Sequence, residues 1–168
     1  MSPIVAILLF LHVLGAIAVF GTTFALPLIG SMGGRDPMHA NFATRISLAI
    51  EEKIVLPGAI VQLLTGLGLI VFVPFDLIQT HWLLLALIIY LVLLAFAYFV
   101  QAKSVARVVE LTAGPPPAMP PSEGAAGGPP AGPPPAVRAA VQRVQRGGMG
   151  MTVALIVIIF LMVIKPTF

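Results

Sequence analysis

The chain has 168 residues, of which 59% are hydrophobic and 9% charged, with no cysteine and a formal net charge of +3. Soluble domains are about 45–50% apolar and about 25% charged, and a chain this short leaves too much of its area wet to hide such an excess. An integral membrane protein is expected, and the composition excludes a soluble enzyme, a nucleic-acid-binding domain, a disulfide scaffold and any thiolate metal or redox site.

A helix needs about 20 apolar residues to cross a hydrocarbon core about 30 Å thick. Residues 4–29 carry no charge and form the first expected span. At ~1.5 Å per residue that run is ~39 Å long, more than the core. It must tilt or end early, and Pro27 marks a place for a kink or stop. No Lys or Arg precedes Arg35, and the run exceeds the about 7–15 apolar residues of a signal peptide, so it reads as a retained helix. Residues 54–73, 82–100 and 147–164 supply three more spans. Stretches such as Trp82 to Tyr90 are apolar on every face, as lipid-embedded helices are, and do not alternate as barrel strands do. The expected fold is all-α: a single-domain four-helix transmembrane bundle.

The loops set its orientation. Residues 30–53 carry Arg35, Arg45 and Lys53; residues 101–146 carry Lys103, Arg107, Arg138, Arg143 and Arg146; the opposite face carries only Lys165. The positive-inside rule then places both long loops in the cytoplasm and both termini outside, in a bacterial cytoplasmic membrane. The basic residues read as topology signals and anionic-lipid contacts, so no nucleic-acid partner is needed to explain them. Glu51 and Glu52 flank the second span and are expected to solvate its start together with Lys53. Residues 114–135 contain 15 Pro or Gly among 22; such a tract propagates neither helix nor strand and reads as a flexible cytoplasmic linker of polyproline II character. It serves either as a ligand for a proline-reading partner or as a tolerated insertion. After it, Val137, Ala140, Val141 and Val144 recur at helical spacing, which fits a basic surface helix or an extension of the fourth span.

No Asp, Glu, Lys or Arg lies inside any expected span, which argues against a proton pump, a voltage sensor or an ion-coupled transporter. The polar set inside includes His12, Thr22, Thr23, Gln62, Thr65, Tyr90 and Thr152. Counting from the outer edge, His12, Thr65 and Tyr90 each lie about 12 Å deep, so three spans contribute to one layer. His12, Gly15, Val19 and Thr22 share one helix face, as do Gly58, Gln62 and Thr65, with Gly66 beside them. Small residues let membrane helices approach and polar ones bond across the contact, which places His12 at the contact of the first two helices.

Two readings of His12 follow. It is a neutral histidine bonded to Thr65 or Tyr90 that ties the bundle together, or it is an axial ligand of a b-type haem. His81 is the second ligand candidate on that side, yet by rise it sits about 12 Å above His12, whereas axial nitrogens with Fe–N near 2 Å stand only about 4 Å apart. His81 beside Trp82 also suits the membrane interface. His39 lies on the cytoplasmic side. No HxxxH pattern marks a metal site, the seven Met are scattered, and Gly147–Gly150 lacks the Lys-Ser/Thr of a phosphate loop.

The run from Leu11 through His12 and Gly15 to Gly21, the Pro57-Gly58 pair, the Thr65-Gly66 step and the His81-Trp82 opening of the third span together resemble a family of small four-helix bacterial membrane proteins of unassigned function. The resemblance covers the chain to about Ala113. More distantly the pattern is similar to copper-resistance D-type proteins and to the J-type membrane protein of haem synthesis. That likeness implies a haem pocket with His12 as ligand, although Leu84 to Leu87 holds no Lys and Tyr90 is followed by Leu91 where the haem-synthesis relatives carry a Tyr-His pair. The expected function is a non-catalytic helical component in the bilayer, self-associating or an accessory subunit of a membrane complex. The alternatives are a haem b redox protein using His12, Thr65, Tyr90 and His81, and a transporter of an uncharged or metal solute.

Overall fold

The computed structural model describes residues 2–35, 38–73, 80–114 and 133–166. Among them all regular structure is helical, in four long antiparallel helices: α1 (Pro3–Arg35), α2 (Ala40–Phe72), α3 (His81–Leu111) and α4 (Pro135–Ile164). Each is long and apolar enough to cross a membrane. The proline-glycine linker, apart from its ends, lies outside the described residues.

Every helix outruns its expected span. Pro27 does not stop α1, which continues to Arg35. A proline removes one i→i−4 bond, here to the Thr23 carbonyl, and a membrane bundle tolerates that loss because neighbouring groups take it up. On the basic side α2, α3 and α4 extend roughly three to four turns past the expected boundaries. These extensions are amphipathic: Val105 and Val108 are buried, while Arg107 and Glu110 pair at 2.9 Å on the exposed face. The basic stretch 137–146 is part of α4 itself, an extension of the fourth span rather than a separate surface helix.

α1 lies along α2 for most of its length, and glycines set the approach. A Cβ on Gly58 would stand 2.6 Å from Val19 Cγ2, one on Gly68 would meet Leu8 at 3.2 Å, and one on Gly33 would meet Ala43 at 2.6 Å. α3 packs mainly on α4. α2 meets α3 chiefly at the basic end, where Asn41 Nδ2 donates to the Val109 carbonyl (3.1 Å) and to Thr112 Oγ1 (2.9 Å). Nearer the middle, Tyr90 Oη donates to the Ala59 carbonyl at 2.8 Å. The core is a thin column of Val19, Val55, Ala86, Ala97, Leu155 and Ile158. Many of the large apolar side chains, among them Ile7, Phe10, Ile17, Val71 and Val163, are exposed, as lipid allows.

Two π-helical turns interrupt the inward faces, Glu51–Val55 in α2 and Ala97–Gln101 in α3. The antiparallel register fixed by Asn41 with Val109 and by Ala59 with Tyr90 sets Glu51 opposite residues 98–99, within a turn of Gln101. Both side chains are buried.

Candidate functional site

Turn by turn, α1 presents His12, Gly15, Val19 and Thr23 to α2. Thr23 is buried and takes the place expected of Thr22, because the contact steps four residues on from Val19 instead of three. Facing it, α2 presents Thr65, Gln62 and Gly58. Gly66 brings its backbone against the imidazole, so that a Cβ there would stand 3.0 Å from His12 Cε1.

The His12 ring is held at both nitrogens. Gln62 Nε2 lies 3.1 Å from His12 Nε2, and Thr65 Oγ1 lies 3.1 Å from His12 Nδ1. An amide nitrogen only donates, so Nε2 accepts and Nδ1 carries the proton. Nδ1–H then donates to Thr65 Oγ1, whose own hydroxyl donates back to the Val61 carbonyl at 2.9 Å. This is a closed circuit built from one tautomer of a neutral histidine. One atom is left over: Gln62 Oε1 is buried without a hydrogen-bond partner and faces the gap at Gly15.

Of the four candidate residues, the structure brings His12 and Thr65 together. Tyr90 is not in that layer. Its hydroxyl reaches Ala59, six residues along α2 from Thr65 and so about 9 Å nearer the basic end. There it borders a cavity of about 30 Å³ shared with Val19, Thr23, Ala59, Met151 and Leu155. His81 opens α3, exposed at the end of the bundle opposite the basic loops, away from a ring whose nitrogens are already engaged by α2. Among the described residues no cluster of three or more His, Cys, Asp or Glu is placed to hold a metal.

Sequence reasoning missed the other end of the interior. Glu51 was expected to be solvated; it is 3% exposed, makes no hydrogen bond or ion pair, and its Oε1 is fully buried. Gln101, within a turn of it on α3, is 6% exposed and donates to the Val144 carbonyl at 3.1 Å, packed where a Gly147 side chain would otherwise stand. The signal was present: Glu51, Val55, Gly58, Gln62 and Thr65 are spaced 4, 3, 4 and 3, so Glu51 continues the inward stripe of α2 by one more step. Its neighbours Glu52 and Lys53 are exposed and disguise it as part of a wet helix end.

The interior is thus a column with a histidine circuit towards one end, a tyrosine and a small cavity in the middle, and a buried carboxyl and amide towards the other. A family model, DUF2269, described as predicted integral membrane protein, matches residues 6–166, and the chain belongs to that family. The match runs through α4, beyond the part of the chain that carries the motif resemblance. No curated protein and no solved structure matches.

Proposed function

We propose that this family member is a non-catalytic helical component of a bacterial cytoplasmic membrane. It self-associates or serves as an accessory subunit of a larger membrane complex, with both termini outside and the basic helix ends in the cytoplasm. The observation that carries this reading is the His12 circuit: both ring nitrogens are spent on Gln62 and Thr65, so the histidine acts as glue between α1 and α2. The outward surface supports a partner role. Ile7, Phe10, Leu14 and Ile17 form one exposed stripe of α1 that no other described helix covers. Cross-linking in membranes and native mass spectrometry in mild detergent test it. A stable oligomer or a co-purifying membrane protein is expected, and a strictly monomeric, partner-free protein refutes it.

The haem alternative, and with it the distant likeness to copper-resistance D-type and haem-synthesis J-type proteins, rests on the placement of His12 alone. The residues as packed do not fit the group. Ligation needs His12 Nε2 to release Gln62, and the neighbouring cavity of about 30 Å³ is far below the about 300–1,000 Å³ of ordinary cofactor pockets. An absorbance scan after haem-replete expression separates the readings, a Soret band favouring haem. A transport role meets the same difficulty at that cavity, which is too small for an organic solute.

A further inference from the structure

We propose that the outer surface between α3 and α4 is a binding groove for one anionic glycerophospholipid, with an acyl chain along the groove and the phosphate at Arg146. The groove is a shallow trough open to the outside, with about 580 Å³ of space along it, lined by Ile89 of α3 and by Arg146, Met149, Gly150, Val153 and Val157 of α4. Arg146 is its one charged group, and it stands at the basic end. Three observations identify the occupant.

The first is depth. From Arg146 to Val157 is 11 residues, ~17 Å along the helix, about half of a core about 30 Å thick. The groove therefore spans one leaflet, from headgroup level to midplane, on the side where the basic loops lie and where anionic lipids concentrate. The second is shape. Gly147 makes room for Gln101 within the bundle, but a Cβ on Gly150 would meet nothing within 4 Å. Its smallness serves no contact inside the chain; with Ala154 one turn on, it hollows the helix surface outward. The third is charge. Arg143, Arg146, Gly150, Val153 and Val157 share one helix face, so a second arginine lies one turn beyond the mouth, at the height of a phosphate. A helix of a second copy is the competing occupant, because small residues four apart favour helix contact. Two-fold parallel pairing along this face, however, sets Arg146 against Arg146, and like charges at close range repel.

The test is native mass spectrometry of the full chain in mild detergent, titrated with phosphatidylglycerol or with phosphatidylcholine of the same acyl chains. The wild type should retain phosphatidylglycerol in preference to phosphatidylcholine. Arg146→Gln should weaken phosphatidylglycerol retention about fivefold, the contribution of one basic residue near an anionic surface, and leave phosphatidylcholine retention unchanged. Gly150→Leu fills the trough and should reduce both lipids. Gly21→Leu, at another glycine facing open space, should reduce neither and serves as the folding and hydrophobicity control. Equal retention by Arg146→Gln and wild type overturns the proposal. So does a Gly150→Leu variant that keeps its lipid, whether or not it loses an oligomer; loss of an oligomer alone assigns the face to a second copy.

Discussion

Consider replacing Glu51 with leucine. In the wild type this carboxyl is 3% exposed, accepts no hydrogen bond and faces no cation, and one of its oxygens has no access to water. A buried polar atom without a partner costs about 1–3 kcal/mol, and substitution by an apolar group of similar size removes that cost without opening a cavity. Val55, one turn along on the same face, is buried and apolar, so leucine meets a compatible surface. At about 2–4 °C per kcal/mol for a chain of this size, Glu51→Leu should raise the midpoint of thermal unfolding by roughly 2–12 °C. Circular dichroism in detergent follows the loss of helix, and size-exclusion after heating reports aggregation independently. Glu51→Gln should gain less, because the amide brings two donors that also need partners. A lower midpoint for Glu51→Leu refutes the reasoning and means that the carboxyl is bonded in the folded protein.

Four further outcomes follow from the same geometry. Gly58→Ala drives a methyl to 2.6 Å from the stiff Val19 side chain and should cost about 1–3 kcal/mol by overpacking, whereas Gly21→Ala, with nothing within 4 Å, should be neutral or gain up to about 1 kcal/mol of helix propensity; parallel thermal melts compare them. A double-mutant cycle of His12→Ala and Thr65→Val should return a coupling of about 0.6–1.7 kcal/mol, the range for hydrogen bonds between membrane helices, and a coupling of zero removes the circuit. Tyr90→Phe deletes the donor to the Ala59 carbonyl and should lower stability by about 0.5–1.5 kcal/mol, measurable in the same melts. Deleting residues 115–132 should leave membrane expression and melting unchanged, since loop length costs only about 0.6 kcal/mol per doubling; loss of membrane insertion would show that the tract is needed for folding.

The four helices were legible because membrane spans need only an uncharged apolar run of sufficient length, and the α1–α2 contact because Gly58, Gln62, Thr65 and Gly66 mark one face at helical spacing. Three things were hidden for identifiable reasons. The depth of Tyr90 was misjudged because rise arithmetic assumed that α2 ends level with the start of α3. The bond to Ala59 shows α3 set more than a turn nearer the basic end, so equal counts from the two helix ends do not give equal depths. Pro27 was read by its cost in an isolated helix, whereas α1 carries it inside a continuous helix. Glu51 was read from its charged neighbours and not from its face.

Native structures satisfy nearly all buried polar atoms, and the exceptions ask for a reason. Here two of them, Gln62 Oε1 and Glu51 Oε1, lie on the same inward face of α2, one beside the His12 circuit and one at a π-helical turn, a feature frequent at functional sites. A protein that only needed to hold four helices together would be better served by leucine at Glu51. Retaining a carboxyl there at a stability cost is what a site under a second constraint looks like, because such sites break local rules and are supported by the rest of the fold. A Glu51→Leu variant that melts higher but loses its partner in the cross-linking experiment would place that constraint in association; one that melts higher and associates normally would separate the two.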